Sequence, residues 1–113
     1  MSAMRVKLPK YRAQPTVIDG VRFHSKGEAA RWWQLRMLER AGTIRALARQ
    51  KALTLHVVRE TDVIVIGKYV ADFTYFVDGL LVYEDFKGFD TPLAKWKRKH
   101  CEAEYGITIR ITR

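Results

Sequence analysis

Apolar and polar positions alternate most strictly near the end of the chain. There Ile107-Thr108-Ile109-Arg110-Ile111-Thr112 has the two-residue period of a half-buried strand. Toward the start, Thr16-Val17-Ile18 and Val21-Arg22-Phe23 flank Asp19-Gly20, the signature of a two-residue hairpin turn. The period then becomes helical. Ser25 with Glu28 three residues later matches a capping box, and Ala30, Trp33, Met37 and Ala41 recur at helical spacing until Gly42, which predicts a helix over residues 25–41. Two short strands are expected near 44–49 and 52–58, with a turn from Glu60 to Asp62. From Val63 to Lys87 the chain is β-prone, interrupted by Gly67-Lys68 and by a second hairpin signal, Asp78-Gly79. Thr91 as N-cap and Pro92 as first helical residue begin a second helix that stops at Gly106. On it Leu93, Ala94, Trp96, Cys101 and Tyr105 form the expected core stripe, leaving Lys95, Lys99 and Arg98 outward.

The hairpin from Tyr69 to Lys87 carries the candidate chemistry. A type I′ turn at Asp78-Gly79 pairs Val77 with Leu80, and counting back along both strands sets Asp72 opposite Asp85. Like charges directly opposed across two strands destabilise the pair. Both acids have apolar neighbours, Val70-Ala71-Asp72-Phe73 and Tyr83-Glu84-Asp85-Phe86, so neither resembles an acid placed for solubility. Side chains two apart share a face, which sets Lys87 beside Asp85 and points Glu84 the other way, although a bulge would exchange Glu84 with Asp85. Two carboxylates and a lysine in one cluster suit a hard divalent cation held by oxygens, with the lysine near a phosphate or an attacking water. The plainer reading is an ion pair of Lys87 with Asp85 or Asp72 on an exposed sheet face.

Asp72 followed by Asp85-Phe86-Lys87 across a hairpin and then a helix resembles the core of the PD-(D/E)xK nuclease superfamily. The layout from Lys10 onward is also similar to a family of small phage- or prophage-encoded nuclease-like proteins, through Phe23-His24-Ser25-Lys26-Gly27-Glu28, Tyr69-Val70-Ala71-Asp72-Phe73 and Val82-Tyr83-Glu84-Asp85-Phe86-Lys87-Gly88. Ala71 stands where the superfamily name has proline, and Glu84-Asp85 offers two acids before the lysine. The resemblance implies a restriction-endonuclease-like α/β fold, a mixed central sheet flanked by two main helices. It also implies Mg²⁺ or Mn²⁺ held by Asp72, Asp85 and the carbonyl of Phe86, with Lys87 serving the chemistry. Glu28 would be the helical acid of the site, and a capping role accounts for it as well. Gln50, on the strand before the core, is a further candidate, as is a buried amide satisfied by backbone.

Composition fixes the setting. The chain has 113 residues, 48% hydrophobic, which suffices for one domain and excludes multidomain machinery. Its 21 Lys and Arg against 12 Asp and Glu give a formal charge of +9, a balance that favours a polyanionic partner. The excess sits mostly in Arg5, Lys7, Lys10 and Arg12, on an expected flexible arm over residues 1–14, and in Lys95, Lys97, Arg98 and Lys99 on the second helix. Those basic residues are expected to contact DNA phosphates. One cysteine allows no internal disulfide, and no apolar run is long enough to span a membrane, so a cytoplasmic protein without membrane contact is expected. No zinc spacing, glycine-rich phosphate loop or G-x-S-x-G elbow occurs, against zinc fingers, NTPases and serine hydrolases. The spacing of Trp33 and Trp96 fits core packing, Trp32 stays open between packing and base stacking, His100 fits a packing or surface role, and Tyr75 and Tyr83 fit sheet packing. The leading expectation is a metal-dependent DNA endonuclease acting on branched or duplex DNA in phage DNA metabolism, with a homodimer as an option. The alternatives are a non-catalytic nucleic-acid binder of the same fold and a phage protein that meets a partner through its sheet edge.

Overall fold

The computed structural model describes residues 16–18 and 20–113. The basic arm expected over residues 1–14, with Lys10 and Arg12, lies outside the described residues. Strands β1 (Thr16–Ile18) and β2 (Val21–Phe23) pair antiparallel, with Ile18 opposite Val21 as a two-residue turn requires. Helix α1 (Lys26–Arg40) starts at Ser25, whose hydroxyl accepts from the Glu28 N–H. Then come β3 (Arg45–Val58), β4 (Val63–Val77), β5 (Leu80–Phe86), α2 (Pro92–Tyr105) and β6 (Ile109–Thr112). The four-stranded sheet has the order β3-β4-β5-β6, antiparallel except for the last pair, so the architecture is mixed α/β. Asp78 and Gly79 both have positive φ, 50° and 79°, as a type I′ turn demands. Thr91 caps α2 through the Ala94 N–H, and Gly106 ends it in the left-handed conformation at φ 65°.

The two short strands expected before residue 59 are one continuous strand. Gln50 takes φ 56° at the expected break, yet Arg49↔Phe73 and Lys51↔Ala71 keep pairing on either side of it, so the long partner β4 carries the chain through the kink. A second irregularity lies further on, where Leu55↔Gly67 is followed by His56↔Val65 and Ile66 becomes the extra residue of a bulge.

Two apolar clusters form, one under each helix. On the α1 side Phe23, Ala29, Trp32, Leu35, Ile44, Phe73 and Tyr75 are buried together. On the α2 side the cluster is Leu53, Leu55, Tyr69, Ala71, Cys101 and Ile109. Strand β5 divides between them by parity, Val82 and Phe86 packing on the first cluster and Tyr83 on the second. Strand β4 does not, since Tyr69 and Ala71 belong to one cluster and Phe73 and Tyr75 to the other. Its alternation changes over at Asp72.

Both helices turn a different face inward from the one expected. On α1 the buried residues are Glu28, Ala29, Trp32 and Leu35, while Trp33 is half exposed. The doublets Ala29-Ala30 and Trp32-Trp33 write two helical stripes one residue apart. Trp32 wins because its ring stacks on Phe73, with centroids 6.0 Å apart, and meets Phe23 at 6.1 Å. On α2 only Cys101 is buried outright, and Leu93, Trp96 and Tyr105 are exposed. Its inward side runs through Ala94, Arg98 and Cys101. Arg98 can lie there because Asp90 accepts from both ends of its guanidinium, at 2.6 and 3.1 Å. Burial pushes the Cys101 thiol pKa up.

Gly27 sets how closely α1 approaches β5. A β-carbon there would lie 2.3 and 2.4 Å from Cζ and Cε1 of Phe86. Gly27→Ala is therefore expected to force the ring or the helix aside and to cost about 1–3 kcal/mol of stability, read from urea unfolding.

Candidate active site

The backbone ladder between β4 and β5 runs from Val77↔Leu80 to Phe73↔Glu84 and stops there. Beyond it the strands are joined by their acids. The Asp72 N–H donates to Oδ1 of Asp85 at 2.8 Å, and the Phe86 N–H donates to Oδ2 of Asp72 at 2.9 Å. The expected juxtaposition of Asp72 and Asp85 is thus present, with side chains in place of a regular ladder pair. Asp85 is buried and also accepts from the Tyr69 hydroxyl. Lys87 places its Nζ 3.6 Å from Oδ2 of Asp85. Its backbone N–H donates to the Thr112 carbonyl at 2.9 Å, which ties the strand end to β6.

Burial, the Asp85 carboxylate and then the Glu28 carboxylate push the Asp72 pKa up to about 7, against smaller opposing effects from the Phe86 N–H and Lys87. Glu28 therefore belongs to this acidic cluster. One of its oxygens accepts from the His24 N–H at 2.9 Å, a variant of the capping box that engages the residue before the cap. The other oxygen, Oε2, is buried without a hydrogen-bond partner. Capping thus uses half of the carboxylate and leaves half free. Gln50 is exposed, level with Asp72 between the flanking pairs Arg49↔Phe73 and Lys51↔Ala71, which overturns its reading as a buried amide.

Glu84 is removed from the site. It is fully buried on the α1 side, where Arg31 donates Nε to Oε2 at 2.6 Å and Nη2 to Oε1 at 2.9 Å, and Tyr75 and Thr112 donate as well. Burial alone would raise its pKa, but the bonds from Arg31 and Tyr75 outweigh it and hold the carboxyl below its usual range. The parity that separated Glu84 from Asp85 holds, and no bulge exchanges them. Tyr75 is more than sheet packing, since its hydroxyl serves Glu84. Arg98 is not an outward phosphate contact, being turned in toward Asp90, whereas Lys95, Lys97 and Lys99 are exposed on α2. His100 has a structural role, with Nε2 at 3.0 Å from the His56 carbonyl.

Tyr69 and Arg31 carry no mark in the sequence. A tyrosine two residues from Ala71 in an apolar strand gives no sign that its hydroxyl will meet an acid. Arg31 stands on the helix beside Trp32, and only the tertiary fold brings it to Glu84. Arg49 is a further case: its guanidinium lies 4.4 Å from the Phe23 ring centre, with Nε buried and without a partner.

Among the described residues, no three His, Cys, Asp or Glu side chains are already drawn together as a metal-binding group. The donors nevertheless fit a hard divalent cation in kind. All are oxygens, Oε2 of Glu28 lacks a partner, and the raised Asp72 pKa marks negative charge short of compensation. An oxygen that accepts one hydrogen bond keeps a lone pair for a ligand.

Fold and site together define a small α/β protein with a buried acidic cluster and a lysine where two central strands part. Residues 8–112 match the family described as a protein of unknown function, DUF1064, and the chain belongs to that family. No curated protein and no solved structure matches the chain. No helix among the described residues is long and apolar enough to cross a membrane.

Proposed function

We propose that this protein is a metal-dependent endonuclease of the PD-(D/E)xK kind, which hydrolyses phosphodiester bonds in branched or duplex DNA, in the cytoplasm of a bacterial host as part of phage or prophage DNA metabolism. The observation that carries the reading is the buried pair Asp72 and Asp85 with the Lys87 ammonium 3.6 Å from Asp85. Asp72, Asp85 and the Phe86 carbonyl would hold Mg²⁺ or Mn²⁺, with Glu28 as the further acid. When bound, the cation supplies charge against the phosphate and a more acidic water. Lys87 then offers a fixed cation where negative charge develops on the phosphate. Lys95, Lys97 and Lys99 lie on the helix that follows Lys87 and suit sequence-independent contact with neighbouring phosphates.

A panel of labelled duplex, junction, nicked and single-stranded DNAs, incubated with and without Mg²⁺ or Mn²⁺, tests this. Cleavage that needs the metal and falls by at least ~10²-fold in Lys87→Ala, with binding retained, is the expected result. Undiminished cleavage by Lys87→Ala sinks the assignment. A second reading, a non-catalytic nucleic-acid binder of the same fold, has one observation in its favour: both oxygens of Asp85 are engaged within the protein. Calorimetric titration with Mn²⁺ separates the two, because the binder should show no carboxylate-dependent uptake.

A further inference from the structure

The far end of the β3–β4 ribbon and the outer side of α2 form one apolar face. Val58 pairs with Val63 and His56 with Val65, and residues two apart on a strand share a side. The His56 ring meets Glu104, so this is the α2 side of the ribbon. Ile66, at the bulge, joins Leu55, Leu93 and Trp96 around an open cavity of ≈ 320 Å³. Val58, Val63, Val65, Ile66, Leu93 and Trp96 are each between 53% and 78% exposed. Six large apolar side chains so exposed at one end exceed the roughly 300–600 Å² patch usual on a soluble monomer, and approach the ~800 Å² each partner gives a standard interface.

We propose that this face binds a second copy of the chain. The ribbon is convex and the cavity beside it concave, so a two-fold axis between them lets each copy's ribbon fill the other's cavity. Charge agrees with that arrangement. The ribbon tip carries Glu60 and Asp62, and the cavity wall on α2 carries Lys97 with Lys95 and Lys99 adjacent. A two-fold axis brings each acidic tip over the partner's lysines. The contact is through side chains, because the outer edge of β3 is already occupied there: Tyr105 donates to the Thr54 carbonyl at 2.6 Å, and the His56 N–H donates to Glu104 at 2.7 Å. Those bonds also close that stretch of edge to an added strand. An interface with an aliphatic and tryptophan centre persists in high salt, unlike contact with a polyanion. The proposal does not depend on the catalytic reading.

Sedimentation equilibrium of the full chain over a wide concentration range is the test. A dimer of the 13.2 kDa chain is expected, including at high salt. Val65→Lys and Leu93→Glu, folded by circular dichroism, should raise its dissociation constant by at least ~10²-fold. Should either fail to fold, Val58→Lys, at the most exposed of these positions, decides. A wild type that is monomeric throughout overturns the proposal, as does a folded variant that dimerises unchanged. A monomer whose affinity for single-stranded DNA falls in Trp96→Ala would assign the face to nucleic acid instead.

Discussion

Asp72→Asn is expected to lose metal-dependent cleavage by at least ~10²-fold while unfolding less readily than the wild type above neutral pH. The two effects have one origin. The Asp72 pKa stands at about 7 in the folded protein, against 3.8 ordinarily, because burial, Asp85 and Glu28 all oppose its charge. Between those two values the folded state holds a proton that the unfolded chain has released. Stability therefore falls as pH rises through this window and levels off above about 7, each tenfold difference in proton affinity between the folded and unfolded chains being worth about 1.4 kcal/mol. An amide cannot ionise, yet its oxygen can still accept from the Phe86 N–H. Urea unfolding of both proteins should show the variant ahead at pH 8 and the gap closing toward pH 4. Bound Mn²⁺ should narrow the gap at pH 8 by stabilising the wild type alone. An Asp72→Asn protein no more stable than wild type at pH 8 would mean that the cluster is not under electrostatic load.

Arg31→Met should cost about 3–5 kcal/mol, a large part of the ~5–15 kcal/mol that holds a domain this size together. Glu84 is fully buried, and without Arg31 it keeps only hydroxyl donors, from Tyr75 and Thr112. Removing one partner of a buried pair leaves the other charge uncompensated, whereas removing both need not. The double variant Arg31→Met/Glu84→Gln should recover much of the loss. Arg31→Lys should fall between, since an ammonium cannot reproduce the two parallel bonds. The pH dependence follows from the sign of the shift. Glu84 has a depressed pKa in the fold, so its contribution is present above the ordinary carboxylate range and disappears as pH falls through the folded value. In Arg31→Met the opposing pull of the guanidinium is gone and burial weighs on Glu84, so the deficit should shrink in acid. Urea midpoints across pH 3–8 check both statements.

Local chemistry made the elements legible and left their inward faces ambiguous. Asp19-Gly20, Asp78-Gly79, Ser25, Thr91-Pro92 and Gly106 each mark a boundary through conformation or hydrogen bonding that needs no distant partner, and each stands where expected. The juxtaposition of Asp72 and Asp85 was equally readable, because a two-residue turn fixes register by counting. The stripe on α1 was not, since two adjacent doublets satisfy the same period and Phe73 chooses between them. Nor was Arg98, whose direction depends on Asp90 eight residues earlier and outside the helix. At Gln50 a break in the local signal is bridged by the ladder of β4. Tyr69 donating to Asp85 and Arg31 clamping Glu84 arise from contacts far apart in the chain, and no period records them.

The one cysteine of the chain lies sealed beneath α2, with its thiol held in the less reactive, protonated form. A thiol reagent can meet it only when that helix lifts from the sheet. The rate of modification is thus a native clock for the opening of the segment that carries Lys95, Lys97 and Lys99, and it reports that local motion without any engineered label.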